Sequence, residues 1–472
     1  MVRSITFLML LACGTLAFSA GIHVPKDHPT IQAAIDSAHP GDTILVGPGR
    51  YLERLRLRDG ITLRSTGDDT PGQSGLRRAE ATIIDGGGSS GDLPGVSMAE
   101  GSSLDGFTIT NVGLFDEALW QKHYDTHGEE LGDDEGSTQA EGSVPAVSIR
   151  GVNCNVTHNL VYHNGDVGIA IVGVKGQRTT PVVAFNSSLR NLGGGIGVAD
   201  QAEPLIRGNN CSENLRAGIG CRNADPLILG NECTGNVRAG IGCREGARPL
   251  IRGNTCARNR RAGIGIRMAG TSPIVEKNVC SGNERAGIGL RDGAAAMIRA
   301  NQCLENKLVA IGVTDGSTAT IIGNTLVRQG GASPLVVIRD GATATIEANT
   351  LTGGGVAAVL VQGQAIIADN TFAGREAGQK VAIWVWENSV ATISENTFSG
   401  YSTAVKATKA RIVILKNTIS NFQGPAIVVA DSTSPPYIAE NIALASEPGA
   451  MAVKVTGTPG MVDGNSVKPA SQ

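Results

Sequence analysis

Short apolar runs alternate with turns rich in glycine and asparagine along most of this chain. From residue 159 onward an asparagine closes an apolar run at a mean step of about 23.5 residues, a period typical of stacked repeats. We call these residues the anchor asparagines: Asn159, Asn186, Asn209, Asn231, Asn254, Asn278, Asn301, Asn324, Asn349, Asn370, Asn396, Asn417, Asn441 and Asn465. A second asparagine often follows five residues later, at Asn164, Asn191, Asn214, Asn236, Asn259, Asn283 and Asn306. We expect both sets to form amide ladders between stacked repeats, with asparagine itself in the left-handed turn of each corner.

One well-preserved repeat, RAGIGCRNADPLILGNECTGN (residues 216–236), shows the local pattern. Two strand-like pieces, around IGC and around PLI, are separated by turn residues. Because side chains on a strand alternate between its faces, Ile219 and Cys221 share the inner face and Arg222 lies on the outer face. No run in the repeats is long enough for a helix. The pattern predicts an all-β, single-stranded parallel β-helix with at least 13 coils between Asn159 and Asn465, about 62 Å tall at about 4.8 Å per coil.

The repeat, the opening segment IHVPKDHPTIQAAIDSAHPGDTILVGPGRY (residues 22–51) and the stretch LDGFTITN (residues 104–111) resemble one family. This is the exported right-handed parallel β-helix family, whose pectin-lyase-like fold is shared by carbohydrate-binding and sugar-cleaving proteins. The resemblance implies a right-handed fold and a surface suited to carbohydrate. It implies no activity, because this fold hosts lyases, hydrolases, esterases, epimerases and non-enzymes. The opening also resembles pectin methylesterases, but the chain matches neither their catalytic Gln and Asp motifs nor the polygalacturonase and alginate-epimerase signatures.

A single long domain suits this composition, because 64 glycines and 3% aromatic residues fit thin coils with tight corners. Near Thr30 the apolar spacing becomes helical, and we interpret this helix as an N-terminal cap over the open end of the first coil. Its apolar side consists of Ile31, Ala34, Ile35 and Ala38. We divide the chain into a signal peptide (1–19) and a β-helix domain (20–472) made of the cap and first coils (20–113), an acidic loop insertion (114–142) and regular coils (143–472).

The first 19 residues have the pattern of a secretory signal peptide. Arg3 precedes an apolar run from Ile5 to Leu11, and small residues follow, so that a cut after Ser19 fits. The alternative is a lipid anchor at Cys13, because the preceding LLA resembles a bacterial lipobox. The apolar run is too short to remain as a membrane span. We therefore expect an exported protein that is periplasmic, secreted or held at the cell surface.

Five cysteines, each two residues after an anchor asparagine, form one column along the coils. Leucine, phenylalanine and isoleucine continue this column in later coils, which indicates a core position where a thiol acts as a small hydrophobe. Stacked β-carbons about 4.8 Å apart are too distant for a disulfide, which needs about 3.8 Å. We predict that these five residues are buried, stacked and unbridged: Cys211, Cys233, Cys256, Cys280 and Cys303.

Two columns of arginine mark the outer face. The first comprises Arg222, Arg244, Arg267 and Arg291, continued by Thr314, Arg339, Gln362, Trp386 and Lys406. The second comprises Arg216, Arg238, Arg261 and Arg285. We expect a bare floor between them, made of Gly218, Gly220, Gly240, Gly242, Gly263, Gly265, Gly287 and Gly289. Like charges one coil apart repel by about 0.9 kcal/mol even in water, which favours a bound anion, and the arginine fork suits carboxylate, sulfate or phosphate.

Trp384 and Trp386 fall on the same outer face farther along, where an aromatic surface beside cations suits sugar stacking. The eight arginines of the two columns and these two tryptophans are the predicted ligand-binding residues. Three other interpretations of the arginines stay open: they keep a repetitive surface soluble, they pair with other chains, or they pair within this chain.

Residues 114–142 break the repeat and carry nine acidic side chains against Lys122. The acids are Asp116, Glu117, Asp125, Glu129, Glu130, Asp133, Asp134, Glu135 and Glu141. This segment could lie over the arginine columns as a lid or a mimic of the substrate. The alternative is a solvated loop or a Ca²⁺ site, and we expect no other cofactor and no other metal. All seven histidines occur by His163, so that candidate bases are confined to the first third, with His123, Tyr162 and His163 the ones considered.

Three functions fit this sequence, which shows no nucleophile constellation, phosphate loop or nucleic-acid motif. The first is binding of an anionic polysaccharide along the arginine and glycine groove. The second is a lyase, hydrolase or epimerase acting on a uronate-containing glycan. The third is a surface or envelope structural protein without a sugar ligand. We expect an acidic polysaccharide partner, no nucleic acid and no transmembrane segment.

Overall fold

The computed structural model describes residues 21–88, 93–127, 144–375, 380–445 and 449–469. It is an all-β, right-handed parallel solenoid of about 18 turns. Each regular coil contributes one strand to each of three faces, so the prediction of two strands per coil is wrong. The third strand is only three residues long in most coils and lies between two asparagine corners. Its alternation of apolar and polar positions is too brief to stand out in the sequence.

The first face holds Leu55–Arg56, Val96–Ser97, Val147–Arg150, Ile169–Val172, Ile196–Ala199, Ile219–Arg222, Ile241–Arg244, Ile264–Arg267, Ala286–Arg291, Val309–Val313, Val381–Val385, Thr403–Thr408, Ile427–Ala430 and Val453–Thr456. The second face holds Gly21–Val24, Thr43–Val46, Thr62–Ser65, Ser103–Asp105, Asn155–Thr157, Val182–Ala184, Leu205–Arg207, Leu227–Leu229, Leu250–Arg252, Ile274–Glu276, Ala295–Arg299, Thr318–Ile322, Val390–Ser394, Arg411–Leu415, Tyr437–Ala439 and Met461–Asp463. Two long strands, Val336–Glu347 and Val359–Ala368, contribute to both of these faces.

The third face holds Gly49–Leu52, Thr82–Asp85, Thr108–Thr110, Leu160–Tyr162, Ser187–Leu189, Asn210–Ser212, Glu232–Thr234, Thr255–Ala257, Val279–Ser281, Gln302–Leu304, Thr325–Arg328, Thr350–Gly353, Thr371–Ala373, Thr397–Ser399, Thr418–Ser420, Ile442–Ala445 and Ser466–Pro469. Strands on every face pair in parallel with the equivalent strand of the next coil, as Ile219 does with Ile241 and Cys233 with Cys256. Equivalent residues therefore stack into columns along the solenoid axis.

The anchor asparagines form a continuous buried ladder, as predicted. The Oδ1 atom of Asn231 accepts hydrogen bonds from the backbone N–H and from Nδ2 of Asn209, each 2.9 Å long. The same geometry recurs in the second ladder, where Oδ1 of Asn259 accepts both bonds from Asn236 at 3.0 Å. The left-handed turn, however, is not on the asparagine. It falls on the residue before it, such as His158 at φ 54°, which corrects the predicted corner geometry.

The core consists of the inward columns, and it confirms the prediction for cysteine. Cys211, Cys233, Cys256, Cys280 and Cys303 are buried and form no disulfide. Their column continues in register through Leu326, Leu351, Phe372, Phe398 and Ile419. Cys221 and Cys243 are stacked in a second inward column that continues through Ile266 and Leu290.

Three short helices accompany the coils: Ile31–Ser37, Arg77–Ala81 and Glu117–Asp125, named α1, α2 and α3. The predicted N-terminal helix is α1, and its apolar side is fully buried against the first strands. Thr30 caps it, since its Oγ1 accepts a hydrogen bond from the N–H of Ala33. That α1 closes the end of the solenoid remains an interpretation. The predicted signal peptide and Cys13 lie outside the described residues.

Candidate functional site

The outer surface of the first face carries two parallel columns, which we call the outer strip. One is a glycine column of Gly197, Gly220, Gly242, Gly265, Gly289 and Gly312, continued in register by Val337, Leu360, Trp384 and Lys406. The other is an arginine column of Arg222, Arg244, Arg267 and Arg291, continued by Thr314, Arg339, Gln362 and Trp386. Lys406 therefore belongs to the glycine column and not, as predicted, to the arginine column.

Carboxylates of the neighbouring turn accompany the arginine column. Glu245 lies between two arginines, with its Oε2 atom 3.7 Å from Nε of Arg222 and its Oε1 atom 3.4 Å from Nε of Arg244. Two coils further, Asp292 contacts Arg267 at 3.0 Å and Arg291 at 3.7 Å through Oδ2. The predicted repulsion is therefore partly compensated within the chain. These contacts also fix where the guanidinium groups lie, because one carboxylate serves two of them.

The second arginine column lies at the bend that leads into the first face. Its backbone is continuous across coils, since the N–H of Arg261 donates to the carbonyl of Arg238 at 3.0 Å and that of Arg285 to Arg261 at 2.8 Å. Arg285 is exposed, whereas Arg238 is only 6% exposed and Arg244 in the first column only 9%. The two arginine columns are therefore in register, but the side chains of Arg238 and Arg244 are buried rather than exposed to solvent.

Half of the predicted glycine floor is wrong. Gly220, Gly242, Gly265 and Gly289 do face outward. A Cβ added at Gly218, in contrast, would lie 2.8 Å from the carbonyl oxygen of Gly240 and 2.9 Å from Nδ2 of Asn236. The same clash recurs at Gly240, Gly263 and Gly287, so that these glycines are required by the close approach of the next coil and its asparagine ladder.

Helix α3, which the sequence pattern did not predict, packs beside the bend that carries the second arginine column. Its residues Trp120 and Tyr124, together with Phe115, pack on an outward apolar column of Leu192, Leu215 and Val237. Two members of that column, Leu215 and Val237, immediately precede Arg216 and Arg238 in the chain. Trp120 is almost fully buried, and its Nε1 donates to the carbonyl of Glu213 at 3.0 Å. The helix is therefore held next to Arg216 and Arg238 of the second arginine column.

Arginine side chains of the coils hold helix α3 in place. The guanidinium of Arg190 lies 3.9 Å from the ring centre of Trp120 and pairs with Glu117, while that of Arg260 lies 4.6 Å from the ring centre of Tyr124. The insertion thus docks through aromatic rings as much as through charge. The acids Glu129, Glu130, Asp133, Asp134, Glu135 and Glu141 lie outside the described residues, so the lid and the Ca²⁺ site stay predictions.

The candidate bases lie at the same corner. His163 stacks on Phe115 with ring centres 4.5 Å apart and meets Tyr162 edge-on at 4.9 Å. Burial, and after it the charge of Arg190, lowers the pKa of His163, against an opposing effect of Glu117. His123 lies in α3. In the described part of the chain, no group of three His, Cys, Asp or Glu is placed to hold a metal ion.

At its far end the outer strip becomes aromatic. The rings of Trp384 and Trp386 lie 5.5 Å apart and are tilted by 58°, and Nζ of Lys406 sits 4.5 Å from the ring centre of Trp384. Trp386, the residue after the strand Val381–Val385, is 41% exposed. The strip therefore joins a cationic part to an aromatic part on one continuous face.

The sequence matches the family model described as "Right handed beta helix region" over residues 170–326 and 334–468, which is more than half of the chain. The protein belongs to this right-handed β-helix family. A second model, described as "Protein of unknown function (DUF1565)", matches residues 25–245. No curated protein matches the sequence significantly. Among the described residues, no helix is long and apolar enough to cross a membrane.

Several solved structures are similar to this chain. The alginate lyase AlyF-OU02 in complex with G6 is 14% identical, with 96% of this chain and 97% of that chain covered and a TM-score of 0.44. The A-module of the Azotobacter vinelandii mannuronan C-5 epimerase AlgE4 is 15% identical, with 96% of both chains covered and a TM-score of 0.35. PfbA, a surface adhesin of Streptococcus pneumoniae, is 10% identical, with 88% and 93% covered and a TM-score of 0.33. At these identities the likeness concerns the fold alone.

Proposed function

We propose that this protein is an exported β-helix protein that binds an anionic polysaccharide along the outer strip. The observation that carries the proposal is the register of the two arginine columns, which repeat in four successive coils on either side of Gly220, Gly242, Gly265 and Gly289. A polymer lying along the solenoid axis meets the same set of donors at each step of about 4.8 Å. Many weak charge contacts then add along one ligand, as in multivalent binding.

The chemistry of the strip supports an acidic sugar polymer. Arginine forks bind carboxylate and sulfate in two-point contacts, and glycines leave the floor open for a flat sugar ring. The Trp384 and Trp386 rings extend the strip with surfaces on which a sugar can stack. Glu245 and Asp292 contact the guanidinium groups of the first arginine column, so an anionic ligand competes with these two carboxylates for the arginines.

The alternative of a lyase, hydrolase or epimerase needs a base beside the strip. His163 lies at the bordering corner, but Phe115 covers its ring, and this geometry favours binding without turnover. The same samples test the alternative directly. New absorbance of an unsaturated product, or a changed ratio of uronates after incubation with a polyuronate, would identify an enzyme.

A glycan array identifies the ligand class, and titration with polygalacturonate, a sulfated glycan and neutral dextran then tests the strip. The double variant Arg244→Ala with Arg267→Ala removes the two central guanidiniums but leaves Glu245 its contact with Arg222 and Asp292 its contact with Arg291. We expect affinity for the acidic probes to fall about tenfold or more, since charged hydrogen bonds contribute about 1.5–3 kcal/mol each.

The matched control removes two arginines from the second face, Arg207→Ala with Arg411→Ala, and should leave binding unchanged. Raising the salt concentration should weaken binding by the intact protein, because screening acts over about 8 Å at physiological ionic strength. Equal affinity of the strip variant and the intact protein would refute the proposal. Unfolding of the strip variant would assign the arginines a structural role instead.

A further inference from the structure

An unbroken apolar stripe runs along the outer side of the second face. Six residues in register form it, one per coil: Val182, Leu205, Leu227, Leu250, Ile274 and Met297. Leu227, Ile274 and Met297 are each at least 40% exposed. Polar residues end the stripe on both sides, Asn155 in the coil before it and Thr320 in the coil after it. A contiguous stripe with defined ends differs from the single apolar residues scattered on soluble proteins and indicates a contact surface.

Charged residues border the stripe on both flanks. One flank consists of the bend residues Glu203, Asp225 and Arg248, in successive coils, with Arg248 and Asp225 3.3 Å apart. The other flank is the outward column of Arg207, Leu229, Arg252, Glu276 and Arg299. The order of charges along each flank decides which partner fits.

We propose that this surface is the interface of a homodimer in which two copies pack antiparallel through their second faces. The two-fold axis lies along the strand direction and passes between Leu227 and Leu250, the centre of the stripe. Each apolar residue then meets an apolar residue. Leu227 faces the partner's Leu250, Leu205 faces the partner's Ile274, and Val182 faces the partner's Met297.

The charges of the first flank agree with this arrangement, because the same axis sets Asp225 opposite the partner's Arg248. On the second flank it sets Arg207 opposite the partner's Glu276, which is 6% exposed and already pairs with Arg252 and Arg299 of its own chain. The other flanking positions set a charged or polar residue against an uncharged one, such as Arg252 against the partner's Leu229. A parallel arrangement, with the two-fold axis along the stripe, also lays the stripe on itself, but it sets Arg248 opposite the partner's Arg252, which are like charges. The antiparallel arrangement avoids this repulsion and is complementary to itself, the property that a two-fold interface requires.

The area of this surface determines how strongly two copies are expected to associate. Six coils span about 24 Å along the axis, and with both flanks the dimer buries on the order of 1,000 Å² in total. This is the size of a weak, reversible interface, so dimerisation should depend on protein concentration in the micromolar range. The outer strip lies on the first face and stays open in the dimer, so this inference stands independently of the proposed glycan binding.

Sedimentation velocity across the micromolar range tests the dimer. We expect the mature protein to shift from monomer to dimer, and Leu227→Asp to remain monomeric at every concentration. The control Thr392→Asp changes an outward residue of the same face beyond the stripe and should dimerise as the intact protein does. A monomeric mature protein, or a dimer that survives Leu227→Asp, overturns the proposal.

A charge-exchange experiment tests the orientation. Asp225→Arg and Arg248→Asp each place like charges opposite each other in their own homodimer, so each variant alone should be mainly monomeric. An equimolar mixture sets opposite charges against each other at both symmetric positions and should form a heterodimer. If mixing restores no dimer, the antiparallel arrangement is wrong. If Leu227→Asp does not fold, this charge-exchange experiment tests the dimer in its place.

Discussion

Asn209 donates two hydrogen bonds to the side-chain oxygen of Asn231 in the next coil, one from its backbone N–H and one from its own amide. This relationship recurs between every two successive anchor asparagines and is almost wholly shielded from water, except at the last one, Asn465, which is partly buried. Each asparagine thus satisfies backbone groups of the corner that would otherwise be buried without partners.

Replacing one rung of the ladder should therefore destabilise the fold strongly. Asn254→Ala removes the acceptor for the N–H and amide of Asn231 and the donor to the carbonyl of Ile228. At about 1–3 kcal/mol for each buried group left unsatisfied, we expect a loss of about 3–6 kcal/mol. Urea denaturation measures it, with the exposed Asn155→Ala as control. Equal midpoints for the two variants would contradict the structural role of the ladder.

The core cysteines should resist thiol reagents in the folded protein. The neighbouring thiol of Cys280, together with burial, holds the pKa of Cys303 well above its ordinary value, and burial raises the pKa of Cys154 to about 12. The reactive thiolate of these two residues is therefore suppressed as well as shielded. Hydrogen bonds from the thiols of Cys256 and Cys303 instead lower the pKa of Cys280 to about 5, so the protection of Cys280 rests on its burial. We expect no labelling before denaturation and full labelling after it in non-reducing buffer, whereas Glu232→Cys should add one reactive site. Oxidised cysteine in the denatured protein would contradict the assignment.

Neutralising the carboxylates of the outer strip should tighten glycan binding. Glu245→Gln and Asp292→Asn remove the groups that compete with an anionic ligand for Arg222, Arg244, Arg267 and Arg291. We expect affinity for acidic glycans to rise by about two- to fivefold at low salt, with a smaller gain as salt screens the charges. Glu232→Gln, on the third face, is the control. Weaker binding would show instead that the carboxylates position the arginines.

Docking of the segment around Phe115 should weaken in acid. The pKa of His163 is lowered in the folded protein, chiefly by burial, so protonation favours the unfolded state. The stability that His163 contributes is present above its unfolded pKa of about 6.5 and is lost as the pH falls through the lower, folded value. We expect the melting temperature of the intact protein to fall more between pH 7.5 and pH 5, values that bracket this pKa of about 6.5, than that of His163→Phe.

Phenylalanine is a suitable replacement because it tolerates this backbone conformation: Phe185, which precedes the anchor asparagine of the next coil, is left-handed at φ 59°, close to His163 at φ 53°. It also keeps the stacking on Phe115 while removing the titration. His39→Phe, at a well-exposed site, serves as control and should leave the pH dependence intact. Equal pH profiles for the intact protein and His163→Phe would exclude His163 as the source.

Much of the fold follows from the sequence because the coils repeat their environment. The anchor spacing predicts the coils, and the replacement of Cys303 by Leu326 in the same column predicts a core position. The bend glycines were misplaced for a physical reason. The alternation of side chains would place Gly218 on the outer face only if the strand included it. The strand begins at Ile219, and the backbone bends at Gly218, where the next coil comes close.

Helix α3 is difficult to predict from the sequence because it lies in a strongly acidic segment. The acidic residues of the insertion suggested a loop, although Trp120 and Tyr124 are four residues apart and so share one side of a helix. Asp116 was a further signal, since its carboxylate caps the helix by accepting from the N–H of Leu119 at 3.0 Å. Its docking site was not readable from sequence, because Leu192, Leu215 and Val237 come together only when the coils stack.

The asparagine ladder gives the solenoid a chemical direction. In every rung the earlier coil donates and the later coil accepts, from Asn159 to Asn186 at one end through Asn441 to Asn465 at the other. The amide dipoles therefore all point the same way, and the two ends of the molecule are not equivalent. Any growth of such a stack, by added coils or by another chain placed end to end, can continue the rungs only head to tail.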